Sequence, residues 1–392
     1  MSNKTKSTSP SSKKIDKENR LEAKTLLSTK AVLLSLLFSL IFASAGTYLF
    51  AKPLIDPVAY SLPEVPVFEG GLKRNEKLGK AEKLLLDQIY GPESLAIHPI
   101  TGHLWAGLKT GLICEIAIGF DEKVEIKRAV SLTNFTDCDG SYSTQPRCGR
   151  PLGLRMTPKG ELLVADAYLG LYIIDLDKEK VSKLFGSGSE VGNDLTRPTR
   201  YLNDLDVLPD GRIVVSESSH RFDDRDFILD LFEHRPNGRL LTFKPQIGEI
   251  RALKKDLYFP NGVQAIGDYV YYSEMGMARI QKINCKNLEV TTVVDGLPGY
   301  PDNIRLDPLG QLLVPIPTMR DNFDAWLAER PKLRGFLTKV LSPRMLTFIA
   351  VVDVLAVDVE AVDDEEAVDV DAVDAVLVVA VVDEQSEQLD GQ

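Results

Sequence analysis

Between Gly91 and Pro317 the chain writes one pattern five times: a turn bearing proline, asparagine or an acid, a short apolar strand, a Pro/Gly/Asp turn and a second apolar strand. The copies begin at Gly91, Arg150, Tyr201, Phe259 and Tyr300, spaced by 59, 51, 58 and 41 residues, close to the ~40 to 50 residues of one four-stranded propeller blade. A unit of this size cannot bury both its faces alone, so the copies must stack. Within each copy the strands run apolar or alternate between turns such as Pro209-Asp210-Gly211, as sandwiched or half-buried strands do. The economical reading is an all-β propeller over residues 91–345. A pair of β-sandwiches is the alternative, but it would not require equivalent motifs at equivalent positions.

The repeat also fixes where polar groups recur. Each leading turn sets a polar side chain at the start of the first, innermost strand: Glu93 in GPE, Asn203 in YLND, Asn261 in FPNG, and Asp302 with Asn303 in YPDN. Carboxylate and amide oxygens converging on one axis are what Ca²⁺ takes, six to eight oxygens at roughly 2.3–2.6 Å. The competing reading is that these residues only make Asx turns and cap strand entries. The four histidines, His98, His103, His220 and His234, match no catalytic motif and read as surface or turn residues.

Upstream, residues 31–51 form an uncharged, mostly apolar run of about the ~20 residues a helix needs to span a bilayer. Residues 1–30 carry Lys4, Lys6, Lys13, Lys14, Lys17, Arg20, Lys24 and Lys30 against Asp16, Glu18 and Glu22. Positive flanks stay in the cytosol, so the expected topology is single-pass type II in the plasma membrane or endoplasmic reticulum. The propeller is then extracellular or lumenal. A cleaved signal peptide would have a shorter positive region and an apolar run of only ~7 to 15 residues. Residues 52–90 read as a stalk and approach segment. Cys138 and Cys148 bracket a short polar loop suited to a disulfide in an oxidising compartment, and Asn134-Phe135-Thr136 beside it is a glycosylation sequon that makes sense on the same side.

The acidity is local. Residues 346–392 hold 14 Asp/Glu and no Lys or Arg, leaving the rest slightly positive. No basic stripe interleaved with aromatics exists, which argues against a nucleic-acid partner. That tail is a Val/Ala alternation with acids and contains no sixth copy; it is expected to replace the last blade, to stay disordered or to be an altered terminus. Acids every few residues exclude it as a second span. Residues 318–345 read as an amphipathic helical insertion.

The segments CGRPLGLR (148–155), VADAYLGLY (164–172), YLNDLDVLPDGRIVVSESS (201–219), FPNGVQ (259–264) and GYPDNIR (299–305), behind an N-terminal anchor, resemble the strictosidine synthase-like family over roughly residues 30–345. The resemblance implies a six-bladed propeller and, for animal members, arylesterase-like hydrolysis of a small ester or lactone. It also implies a central Ca²⁺ on Glu93, Asn203, Asn261, Asp302 and Asn303, polarising the substrate carbonyl. The glutamate that plant strictosidine synthase uses late in its chain has no counterpart in this sequence, so amine-lyase chemistry is not expected. A non-catalytic propeller that binds a partner is the alternative.

Overall fold

The computed structural model describes residues 29–43, 45–46, 50–73, 75, 81–119, 123–347 and 377–381. The chain divides into two compact units, residues 1–53 and 54–392. In the first, residues 29–43 form a helix (α1) whose side chains, among them Leu33, Phe38 and Phe42, are exposed. Among the described residues no helix is long and apolar enough to cross a membrane. Residues 1–28 of the basic tail lie outside them.

The second unit is built of antiparallel sheets, and each of the first four sequence copies forms one of four strands. Blade 1 is β1 (Leu95–Ile97), β2 (Leu104–Gly107), β3 (Leu112–Ile118) and β4 (Val124–Ser131). Blade 2 is β5 (Pro151–Met156), β6 (Leu162–Asp166), β7 (Gly170–Asp175) and β8 (Lys180–Gly186). Blade 3 is β9 (Tyr201–Val207), β10 (Ile213–Ser219), β11 (Gly238–Lys244) and β12 (Glu249–Leu257), and blade 4 is β13 (Pro260–Ile266), β14 (Tyr269–Glu274), β15 (Arg279–Asn284) and β16 (Val290–Val294).

The core lies between the blades. Because successive strand side chains point to opposite faces, Leu162 and Val164 pack with Trp105 and Ile113 of blade 1, while Leu163 and Ala165 pack with Leu202 and Val215 of blade 3. Val214 likewise meets Val263 and Tyr272 of blade 4, and Tyr271 meets Ile304 and Val314 of the fifth sheet. Inner strands such as β6 are buried throughout, whereas the outer β4 alternates between half-buried and exposed residues. A strand covered on both faces runs apolar, and one with a wet face alternates.

The fifth blade takes a strand from the tail. Its first strand is interrupted, as β17 (Gly299–Tyr300) and β18 (Arg305–Leu306), and so is its second, as β19 (Leu312–Ile316) and β20 (Thr318–Met319). The third is β21, Leu377–Val381, paired antiparallel with β19 from Leu312↔Val381 to Ile316↔Leu377. The tail thus adds a strand to the fifth sheet. It does so with its longest acid-free run, rich in valine, which β-structure favours. Residues 348–376 and 382–392 lie outside the described part. Four four-stranded sheets and two smaller ones, β17–β20 and β18–β19–β21, are present among the described residues, so the sixth blade expected from the resemblance is not seen there.

Short helices among the described residues include α2 (Gln145–Cys148), α3 (Phe227–Glu233), α4 (Asn322–Ala328) and α5 (Pro331–Val340), and residues 343–347 are helical as well. Asp321 caps α4 through the amide of Asp324, at 2.7 Å. Residues 55–60, in the expected approach segment, run across α3 and α5. Ile55 is buried with Phe222, Ile228 and Leu346, Val58 N–H donates to Glu233 O at 3.2 Å, and Tyr60 N–H to Ala328 O at 3.3 Å. Cys138 and Cys148 form the expected disulfide.

Candidate functional site

Two glycines set how closely the inner strands approach. A Cβ on Gly153 of β5 would stand 2.5 Å from Asn203 O, and one on Gly262 of β13 would stand 2.3 Å from Ile304 N and 2.5 Å from Asp302 O. Only glycine lets each neighbouring strand come this near. The turns that begin those strands are thereby drawn toward a common axis.

Of the five residues expected there, the hydrogen bonds join four directly. Asn303 Nδ2 donates to Glu93 Oε1 at 2.8 Å, spanning the first and fifth copies. The Asn261 amide donates to the Asp302 carboxylate, and Asn303 N–H donates to Asp302 Oδ1 at 2.9 Å. Asn203, 3% exposed, turns its Nδ2 to Ser218 Oγ at 3.0 Å. Every amide nitrogen of the set therefore has a partner, whereas the three amide oxygens and one Glu93 oxygen do not. Nine buried side-chain polar atoms lack a hydrogen-bond partner among the described residues, and four of them are Glu93 Oε2, Asn203 Oδ1, Asn261 Oδ1 and Asn303 Oδ1. An unsatisfied buried acceptor costs about 1–3 kcal/mol, so four on one set imply a partner that supplies positive charge or protons. Burial pushes Glu93 well above the usual carboxylate range, with the Asp302 charge adding to it, and burial pushes Asp302 up as well. Mutual repulsion of this kind is what a bound cation relieves. A set of two carboxylates and three amides is oxygen-only, the preference of a hard cation. No group of three or more His, Cys, Asp or Glu gathers as a metal centre among the described residues.

The framework behind this set was not anticipated. Ser216 Oγ donates to Asn261 O at 2.5 Å, Ser218 Oγ to Pro260 O at 2.8 Å and Ser273 Oγ to Asp302 O at 2.9 Å. Each serine sits on the second strand of its blade and holds the next inner strand in place. In the sequence they are ordinary strand serines.

Further along the axis lies a charged cluster, also unforeseen. Asp204, fully buried, receives two bonds from Arg305, Nη1 to Oδ2 at 2.6 Å and Nη2 to Oδ1 at 3.1 Å. Val263 N–H donates to the same carboxylate at 2.8 Å, and Arg155 Nη2 is 3.8 Å away. Arg305 also reaches Ser94 Oγ at 3.1 Å. Asp204 and Arg305 together thus bring groups from all five copies into one cluster.

At the strand beginnings aromatic rings gather. Tyr201 and Phe259, each two residues before a candidate ligand, meet edge to face with centroids 5.9 Å apart and pack with Leu152, Phe227 and Met275. Tyr201 OH donates to Asp224 Oδ1 at 3.0 Å, and Tyr300 OH to Asp324 Oδ2 at 3.3 Å.

None of the hydrogen bonds of the histidines goes to the ligand set. His98 accepts from Thr101 N–H at a turn, and His103 pairs with Glu115 in blade 1, 2.7 Å apart. His220 Nδ1 lies 2.5 Å from Asn237 O. His234 is a turn residue, one of the two expected settings, but a buried one. It ends α3 at φ 51°, is 5% exposed, stacks on Tyr60 and is pushed down to about 3 by burial, with the Arg334 charge adding to it. Asn134 and the rest of its sequon are exposed.

Comparison with known proteins finds relatives over most of the chain. The family model for strictosidine synthase matches residues 203–287, and that for the strictosidine synthase-like N-terminal region matches residues 70–116. Adipocyte plasma membrane-associated protein of Salmo salar is 34% identical over 81% of this chain and 76% of its own length, and that of Homo sapiens is 35% identical over 80% and 75%. A strictosidine synthase-like protein of Arabidopsis thaliana is 31% identical over 68% and 69%. Among solved structures, a gluconolactonase of Xanthomonas campestris superposes on 59% of this chain and 72% of its own with a TM-score of 0.43 and 16% identity, too distant to bear on chemistry.

Proposed function

The chain belongs to the strictosidine synthase-like family, and from that premise we propose that it is a membrane-anchored, calcium-dependent hydrolase of small esters or lactones. The observation that carries this reading is the set of unpartnered buried oxygens on Glu93, Asn203, Asn261 and Asn303, beside Asp302. These five residues would hold Ca²⁺. When bound, the ion supplies a Lewis acid that polarises a carbonyl oxygen and stabilises the oxyanion. The chain does the rest. The serines of the second strands fix the ligand-bearing turns before any ion arrives, so little reorganisation is needed on binding. The Tyr201–Phe259 cluster keeps the strand beginnings dry, which strengthens any charge interaction there.

Purified full-length protein should contain one calcium per chain by elemental analysis and hydrolyse phenyl acetate, with a chelator removing both. Calcium-free, folded protein that still turns over the ester would refute the metal's part in catalysis. A second reading, a non-catalytic propeller that binds a partner, is favoured by the Asp204–Arg305–Arg155 cluster, because charged side chains fill the axis there. Stoichiometric calcium without turnover of aryl esters or lactones would select it.

Anchoring through residues 31–51, with the propeller lumenal or extracellular, completes the proposal. It is supported by the uncharged run, its basic flank, the Cys138–Cys148 disulfide and the exposed sequon. Protein made in animal cells should gain mobility on endoglycosidase treatment, and Asn134→Gln should abolish that change. A wild-type protein insensitive to the enzyme would place the domain in the cytosol.

A further inference from the structure

Beneath the 55–60 segment lies a cavity of about 130 Å³, walled by α3, α4, α5 and the aromatic cluster at the strand beginnings. Phe227, Leu231, Met275 and Leu327 make it mostly apolar. Its size suits a single ring, since an engineered apolar cavity of ~150 Å³ takes up benzene. One residue of the wall is a cation. Arg334 is 1% exposed, and its terminal nitrogens donate to the main-chain oxygens of Phe232, Val58 and Ala328. Its guanidinium lies 5.0 Å from the centre of the Tyr60 ring. Nε has no partner, and no carboxylate pairs with Arg334 among the described residues. Carbonyl dipoles soften the burial of a guanidinium but leave its charge uncancelled, and a buried charge is costly until it is paired. Arginine does not escape by losing its proton.

The other titratable groups on the wall do not answer that charge. His234 is held neutral against Tyr60. Asp324 accepts from Tyr300 and is not in salt-bridge reach of Arg334. An anion entering the cavity is therefore drawn to Arg334 and turned away from Asp324. We propose that this cavity is a binding site for a small aromatic carboxylate, with the ring among Phe227, Leu231, Met275 and Leu327 and the acid group on Arg334. The site needs no metal, so it stands or falls apart from the hydrolase reading.

The test is calorimetric titration of the full chain in detergent and chelator, with phenylacetate and its neutral counterpart 2-phenylethanol as probes. Phenylacetate should bind once per chain and at least about ten times more tightly than the alcohol, as expected of a charge-assisted bond. Arg334→Lys should weaken phenylacetate and leave the alcohol unchanged, and Leu327→Trp, which fills the cavity, should abolish both. Equal affinity for the two probes, no saturable phenylacetate binding, or undiminished binding in a folded Leu327→Trp protein would overturn the proposal. The probe comparison needs only the unaltered protein, so it decides even where a variant does not fold.

Discussion

Asp302→Ala should leave a folded protein that no longer takes up calcium and that hydrolyses phenyl acetate at least about 100-fold more slowly, the scale of losing a preorganised electrostatic contact. The fold should survive because Asp302 contributes little to the core. Its neighbour Asn303 keeps the bond to Glu93, and Ser273 still reaches the main-chain oxygen of residue 302. Removing it also lifts the charge that helps push Glu93 upward. In chelator the variant should therefore unfold no earlier than the unaltered protein. The difference emerges with calcium. A ligand at 100 times its dissociation constant stabilises by about 2.7 kcal/mol, and only the unaltered protein should gain it. Denaturant unfolding with and without calcium, alongside the ester assay, measures both. Retained hydrolysis in a variant that no longer binds calcium would sink the metallo-hydrolase reading. Loss of hydrolysis with calcium binding intact would give Asp302 a role other than holding the ion.

The sequence revealed the site where repetition did the work. Glu93, Asn203, Asn261 and Asp302 occupy the same offset in the first, third, fourth and fifth copies, and stacked copies return equal offsets to one axial level. The glycines that permit the close approach, Gly153 and Gly262, stand in the same motifs, as RPLG and FPNG. The Cys138–Cys148 bond was legible because the two cysteines bracket a short polar loop beside a glycosylation sequon, two signals that point to the same oxidising compartment. What stayed hidden is interaction between copies. Ser216, Ser218 and Ser273 carry no signal apart from the strands they hold, and Arg305 finds Asp204 across 101 residues. The pairing of Leu377–Val381 with β19 was equally opaque. A run of valine and alanine fits either face of a strand, so no pattern of inward and outward residues specifies its register. The 55–60 segment looked like a stalk because its proline and charge content masks one buried residue, Ile55, on which its docking depends.

Arg305→Ala should be the most destabilising single change at the axis, costing about 3–5 kcal/mol, because it strands a carboxylate that is fully buried. Asp204 would keep the Val263 amide, and Arg155, 3.8 Å away, would be left as the one nearby cation. The loss has two parts, an uncompensated charge and a missing tie between the third, fifth and first copies, and a second substitution separates them. Asp204→Asn preserves the acceptor for Val263 and removes the charge. If the stranded charge dominates, the double variant Arg305→Ala/Asp204→Asn should recover most of the stability lost by Arg305→Ala alone. If the tie dominates, it should recover little. Calcium adds a check from the other direction. The Arg305 guanidinium is among the charges that act on Glu93 and Asp302, so deleting it makes the neighbourhood more negative and should tighten calcium binding. The stability gap between Arg305→Ala and the unaltered protein should therefore narrow when calcium is added. A gap that widens would mean that Arg305 holds the ligand-bearing turns in position, and that the charged cluster and the candidate calcium site form one structural unit.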